Sequence, residues 1–426
     1  MLDVKFIREN LDLVRDNIRN RGVMNADADR VADLYGQRVE LVQQTEGLRK
    51  ERNENAQKMK GGLSPEERAS LIERGKELKE ELATLEERLG TVEEELDRAL
   101  KNIPNLTHPD VPVGGEEDAK ELERIGEVPK FEFEPKDHLT LGRELDLIDF
   151  ESAADVTGSS FYYLKNEAAL LELALVNYAM NVITGRGYVP HLTPDLARPA
   201  ILEAIGFNPR GEESQVYNVE GHDLCLIGTA EITLGGMLAG KILRKEDLPM
   251  RVGGFSHCFR TEAGAHGRES RGLYRVHQFS KVEMFAFTTP EESEAIHDEM
   301  LAIEKEIYSG LEIPFRVVDI ATGDLGAPAY RKFDIEAWMP SRQTYGEVTS
   351  TSNCTEYQSR RLNIRYRDEE NAPRFVHTLN GTAVAVPRAI IAILENHQRE
   401  DGSVRIPEVL RPYMGGREII GGDRGA

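Results

Sequence analysis

Cysteine is scarce. The 426 residues hold three, Cys225, Cys258 and Cys354. They lie far apart and none belongs to a C-x-x-C pair, which argues against a disulfide framework and against a thiolate zinc site. No zinc is expected, and the three thiols read as small buried apolar groups. Positive charge is also short. Lys and Arg number 53 against 75 Asp and Glu, a formal net charge of −22. So acidic a chain does not bind nucleic acid indiscriminately, and such a partner needs a local basic patch. Long apolar runs are missing: none approaches the ~20 residues that a membrane span needs. The start, M-L-D-V-K-F-I-R-E-N, carries Asp3 and Glu9 and lacks both an apolar signal core and the acid-poor look of a transit peptide. A cytoplasmic protein without a membrane partner is expected. The ten histidines form no ligand cluster in the sequence.

What is present begins with helical pattern. Ile7, Leu11, Val14 and Ile18 mark one apolar face of a helix over residues 3–20, with Gly22 as its stop. From about 28 to 102 the chain turns to Glu, Lys, Arg, Leu and Gln. Leu71, Leu78, Leu85, Val92 and Ala99 are spaced by seven, and Gly75, Leu82, Leu89 and Leu96 form the partner series. Leu34, Leu41 and Leu48 repeat more loosely. Such heptads with charges between them predict a coiled coil. Gly61-Gly62 breaks the run, and Ser64-Pro65-Glu66-Glu67 restarts it with a cap, a first-turn proline and early acids. The prediction is an antiparallel helical hairpin, each arm rising ~1.5 Å per residue. Residues 49–60 hold five basic residues and two acids, whereas Glu86 to Glu95 is strongly acidic. Arg49, Lys50, Arg52, Lys58 and Lys60 are therefore candidates for RNA phosphates; a merely solvated face is the competing reading.

Pro and Gly between Ile103 and Gly115 mark a boundary. The division expected is an N-terminal domain over 1–108 and a second domain over 109–426. In the second, residues 166–183 form a broadly apolar helix that leads through Gly185 to Pro194. Cys225 to Glu231 is a short strand ending in Thr229, Ala230 and Glu231. A helix is expected over 290–311, and strands over 315–320 and 332–339. Glu347-Val348-Thr349-Ser350 follows a strand-like stretch, and His377 to Arg388 leads into a last apolar helix.

The densest chemistry lies between Phe259 and Glu283. Arg260-Thr261-Glu262 opens it. A loop follows with Gly264, Gly267, Arg268, Arg271 and Gly272, and then an alternation carries Arg275, Val276, Phe279 and Glu283. The reading is a long antiparallel hairpin, with 275, 279 and 283 on one face by their even spacing. Arginine forks meet phosphate oxygens, a ring stacks on a base, and carboxylates take amines or a metal, a set that suits a nucleoside triphosphate.

Arg-x-Glu, a loop, then Arg-x3-Phe-x3-Glu resembles motif 2 of the class II aminoacyl-tRNA synthetases, and its wording resembles the seryl-tRNA synthetases. The 166–194 stretch resembles motif 1, and 377–388 resembles motif 3, with Ala383 and Ala385 where glycines are common in the class. The resemblance covers nearly the whole chain. It implies an α+β fold: an N-terminal antiparallel coiled-coil arm, then a catalytic domain on an antiparallel sheet flanked by helices. It implies activation of L-serine by ATP to seryl-adenylate and transfer to tRNA(Ser), and to tRNA(Sec) as is usual in the family, by a homodimer paired through motif 1. Arg260, Glu283 and Arg388 would be the catalytic residues. Arg260, Thr261, Glu262, Arg275, Val276, Phe279, Glu347, Val348, Thr349, Ser350 and Arg388 would hold ATP. Phe279 and Arg388 would sandwich the adenine, and Arg275 and Arg388 would neutralise the outer phosphates. Glu347 and Ser350 would carry Mg2+. Thr229, Ala230, Glu231, Arg260, Glu283, Asn380 and Thr382 would surround serine. Two other readings remain open: an amino acid:carrier-protein ligase on the same fold, whose members lack the long arm, and a non-catalytic paralogue, which would have lost Arg260, Glu283, Glu347 or Arg388.

Overall fold

The computed structural model describes residues 1–207, 215–262 and 272–421. The chain divides into two compact units, Met1–Leu106 and Thr107–Ala426.

In the first unit, the helix expected over 3–20 is two helices, α1 Val4–Glu9 and α2 Leu11–Asn20. Asn10 makes the break. Its backbone leaves the helical range at φ −131° and ψ 40°, and its side-chain amide donates to the Phe6 carbonyl at 2.9 Å. Asparagine competes with helix geometry in this way. Then come α3 Ala28–Lys58 and α4 Pro65–Asn102. Asp27 caps α3 through the Arg30 amide, and Ser64 with Glu67 forms a capping box on α4. The seam of the hairpin buries Leu34, Leu41, Leu78, Leu82 and Leu96. Ion pairs Arg38–Glu93 (2.9 Å) and Arg49–Glu86 (2.8 Å) bridge the helices. All four partners are exposed, so each pair contributes ~0–1 kcal/mol and serves register more than stability. At the base, Ile7 and Val14 pack with Val31, Leu34, Leu100 and Ile103.

The second unit is built on an eight-stranded sheet. Its strands are β1 Lys120–Ile125, β2 Val189–Leu192, β3 Met250–Phe259, β4 Gln278–Thr288, β5 Phe315–Asp319, β6 Arg331–Met339, β7 Thr344–Asn353 and β8 His377–Ala385. They lie in the order β1-β5-β6-β7-β8-β4-β3-β2. All neighbours are antiparallel except β2 and β3. Helices α5 Asn166–Gly185, α6 Ser293–Gly310 and α7 Val386–Asn396 cover one face.

Strand β4 shows how the sequence sorts the two faces. Val282, Met284 and Ala286 join the core beneath the helices. Phe285 and Phe287 pack on the opposite face with Leu202, Ile205, Ile232 and Leu234. Lys281 and Glu283 share the parity of these phenylalanines, so the polar end of β4 and its aromatic end lie on the same side.

Two expectations need correction. Strand β4 begins at Gln278, so Arg275 precedes it; Gly272–Tyr274 is a 3-10 turn, and the His277 amide donates to Ser160 at 3.0 Å instead of joining the ladder there. Gly264, Gly267, Arg268 and Arg271 lie outside the described residues. The second correction concerns apolar runs. By length and composition, α5 is apolar enough to cross a membrane despite Glu167 and Glu172, because both its sides are apolar. One side, with Leu171, Leu175 and Ile183, is packed in the core, and Leu170 and Leu173 are exposed.

Candidate active site

The sheet face opposite the helices carries a cavity of about 370 Å3. It is lined by Arg260, Glu262, Arg275, Val276, Phe279, Glu347, Val348, Thr349, Ser350, Thr382 and Arg388. The sequence-predicted nucleotide residues are thus together, apart from Thr261, whose amide donates to Gln215, itself on the cavity wall.

A bulge makes part of this possible. Glu347 and Ser350 are an odd number of residues apart, so a regular strand would turn them to opposite faces. Between β6 and β7 the register passes from Ile335–Thr349 to Glu336–Glu347, which leaves Val348 as the extra residue. Glu347 and Ser350 therefore lie opposite Glu336 and Asp334, on one face. A similar shift on β8 at Ala383 leaves Thr382 directly across from Glu283.

The charges in the cavity are mutually arranged. The Arg388 guanidinium donates to the Glu347 carboxylate at 2.9 Å and to its carbonyl at 3.1 Å, and lies 4.7 Å from the Tyr274 ring centre. Burial would raise the Glu347 carboxyl, but Arg388 and Lys332 outweigh it and hold the group below the usual carboxylate range. Arg275 pairs with Glu262 at 3.2 Å, and Glu262 holds φ +49°, a left-handed conformation costly for a side chain outside glycine and asparagine. Arg260 donates to the Gly228 carbonyl at 3.2 Å and lies 5.4 Å from the Phe279 ring centre. The Arg388 guanidinium thus stacks on Tyr274, a ring that sequence reasoning did not single out.

Beside the cavity sits a compact polar group. Thr229 caps the helix Ala230–Gly236 and donates its hydroxyl to the Glu283 carboxylate at 3.3 Å. Thr229 thus starts a helix and also reaches Glu283. Thr382 donates to the same Glu283 oxygen at 3.4 Å. Glu231 accepts from Gln358 at 2.7 Å and from Asn380 at 3.0 Å. Burial, and then the Glu283 charge, push the Glu231 carboxyl up to about 7 against Gln358, Lys281 and Arg260.

Two residues of this group escaped the sequence reading. Lys281 is buried and pairs with Glu283. Gln358 is fully buried; its carbonyl accepts from Thr378 at 2.8 Å, which points its amide at Glu231. Lys281 was findable, since it shares a strand face with Glu283; Gln358, on a short helix, gave no signal. The two residues expected to carry magnesium would suit a hard ion: Glu347 and Ser350 offer two oxygens on one face, and a magnesium ion usually takes the rest of its shell from phosphate and water.

Residues 215–397 match the model of the tRNA synthetase class II core domain (G, H, P, S and T), and residues 1–107 match the seryl-tRNA synthetase N-terminal domain. The serine–tRNA ligase of Treponema denticola is 58% identical over 97% of this chain and 99% of its own length. That of Rubrobacter xylanophilus is 58% identical over 99% of both. The chain belongs to the seryl-tRNA synthetase family. A seryl-tRNA synthetase from Pyrococcus horikoshii, solved with ATP, superposes with a TM-score of 0.92 at 41% identity, covering 99% of both chains. The cytoplasmic serine–tRNA ligase of Naegleria fowleri, solved with AMP, gives 0.86 at 32% identity over 99% of this chain and 98% of its own. Membership accounts for the long arm, which the carrier-protein ligases lack. The five basic candidates on the arm are all exposed, and among them Arg49 is already paired with Glu86.

Proposed function

We propose that the chain is a serine–tRNA ligase. It joins L-serine to ATP, releasing diphosphate, and then moves the seryl group from AMP to the terminal adenosine of tRNA(Ser). The observation that carries this reading is the hydroxyl-and-carboxylate group of Thr229, Glu283 and Thr382 set beside an arginine-lined cavity.

The chemistry asks for position and charge neutralisation more than for a protein nucleophile. In the first step the serine carboxylate attacks the α-phosphorus and the diphosphate leaves. Arg260 bridges the two reactants. Glu262 takes the adenine amine, Phe279 stacks on the ring, and Arg275 and Arg388 offset the outer phosphates, Arg388 also closing over the base. Glu347 and Ser350 would hold a magnesium ion, which supplies further neutralisation of the phosphates when bound. Glu231 and Asn380 receive the serine ammonium, and Glu283 and Thr382 receive its hydroxyl. In the second step a ribose hydroxyl attacks the seryl carbonyl and AMP departs.

The finer assignments are part of the same proposal. Residues 1–108 serve tRNA through Lys50, Arg52, Lys58 and Lys60, with Arg49 exchanging Glu86 for phosphate, and 109–426 carry catalysis. Exposed Leu170 and Leu173 on α5, with Val189 and Leu192 on β2, support a homodimer through this surface. The protein works in the cytoplasm and also serves tRNA(Sec). An ATP–diphosphate exchange assay across the twenty amino acids tests the central statement. Exchange with serine alone is expected; exchange driven by another amino acid, and not by serine, rejects it.

A further inference from the structure

Lys281 is a long cation in a place where charge is costly. It is 6% exposed, among strands, in the wall of the cavity. A buried ammonium persists only when its hydrogens are taken. Two acceptors are given by the fold. Glu283 lies two residues on, hence on the same strand face, and Lys281 pairs with its Oε2. Thr382 lies across from Glu283 in the ladder, and Lys281 donates to its hydroxyl at 3.3 Å. That hydroxyl in turn donates to Glu283 Oε2 at 3.4 Å, and Thr229 adds a contact to the same atom at 3.3 Å. Three groups thus converge on one carboxylate oxygen, and none of the three goes to Oε1.

Ammonium groups have three hydrogens and no lone pair. By occupying the Thr382 oxygen as donor, Lys281 turns the Thr382 O–H toward Glu283. By pairing with Oε2, it fixes the carboxylate plane. We propose that Lys281 is the positioning residue for amino-acid choice: it presents Glu283 Oε1 as a fixed acceptor for the substrate hydroxyl. This rests on the serine-activating reading above. It goes beyond that reading because Lys281 need not touch the reacting atoms. Methionine at 281 would leave Glu283 beside Glu231, two carboxylates with one cation fewer, and Thr382 free to turn.

The test is adenylate formation by Lys281→Met, Lys281→Arg, Glu283→Gln and the Lys281→Met/Glu283→Gln double variant. Serine, alanine and ATP are each titrated, and Tm is measured for every variant. Lys281→Met should raise KM for serine by about 10- to 100-fold, the range of a lost charge-assisted hydrogen bond. KM for ATP should change little, the serine-to-alanine ratio of kcat/KM should narrow by a similar factor, and Lys281→Arg should recover part of it. In the double variant the serine-to-alanine ratio should match that of Glu283→Gln, since the two residues act as a unit. If Lys281→Met melts below the assay temperature, Lys281→Gln takes its place with the same expectations. The proposal fails if KM for ATP moves and KM for serine does not. It also fails if serine and alanine lose activity in equal measure, or if the double variant is additive. Wild-type protein that shows no serine-dependent exchange would instead reject the functional reading.

Discussion

At the scale of single residues, the difficulty in choosing serine is its size. A small pocket gains little by apolar burial, so selection has to come from the hydroxyl. Thr382 and Glu283 form a polar pair with a shared contact at 3.4 Å, both almost wholly buried. An alanine substrate would leave this pair without the hydroxyl it is set to receive, and sites of this kind reject such analogues by ~10⁴ or more. Thr382→Val should therefore narrow the gap in kcat/KM between serine and alanine; an unchanged gap would refute the assignment. Threonine keeps the hydroxyl, and one extra methyl in a pocket is worth only ~1–3 kcal/mol, so threonine should be the stronger competitor of the two. Glu231 gives a pH prediction. Its carboxyl titrates at about 7 instead of the ordinary 4.5, raised first by burial and then by Glu283. Only the ionised form attracts the serine ammonium, so kcat/KM for serine should rise with pH through about 7 and then level. Glu231→Gln should be low and flat over that range; a wild-type profile already level from pH 5 would contradict it. The sign for stability is opposite: an acid raised in the folded state favours folding while protonated, and this contribution is lost between pH 4.5 and about 7 as pH rises. Most of these residues were legible as motif positions. Gln358 was not, because burial of a polar side chain is a property of the packing around it and leaves no mark in its own sequence window; Lys281 could be read only through the strand face it shares with Glu283.

At the scale of elements, helices were easier to read than strands. The heptad and the Ser64 cap specify the hairpin locally, and its ends lie where the caps put them. The break at Asn10 was missed because one asparagine inside an apolar period is a weak signal. The start of β4 was placed too early, since Tyr274 and Val276 favour strands but the backbone at His277 bonds to Ser160. The bulge at Val348 could not be foreseen, because it depends on pairing with β6. It is nonetheless what brings Glu347 and Ser350 to one face. The arm allows a test at this scale. Removing residues 35–95 should leave serine-dependent exchange nearly intact and abolish aminoacylation; charging at the wild-type rate would show that the arm has another purpose. Replacing Lys58 and Lys60 with alanine is a milder version. Each phosphate contact contributes ~0.7–0.9 to the slope of log affinity against log salt, so the slope for tRNA should fall by between about 1 and 2.

At the scale of the whole molecule, 53 Lys and Arg stand against 75 Asp and Glu, a balance that disfavours general attraction to polyanions and leaves phosphate binding to local basic groups. Assembly is the remaining question at this scale. Helix α5 carries exposed Leu173, 61% accessible, and β2 carries Leu192, 83% accessible. Scattered apolar side chains on a surface are ordinary, but these belong to consecutive elements, the helix and the strand that follows it. A two-fold axis would bring each patch against its own copy, since such interfaces are self-complementary. Stable interfaces bury ~1,200–2,000 Å2, so a charge placed near the centre should be disruptive. Wild-type protein is expected to sediment at twice the chain mass. Leu173→Glu should shift it toward the monomer and lower serine-dependent exchange, with far-ultraviolet circular dichroism unchanged, because this side chain faces away from the core. A wild-type protein that sediments as a stable, fully active monomer would rule out pairing through this surface.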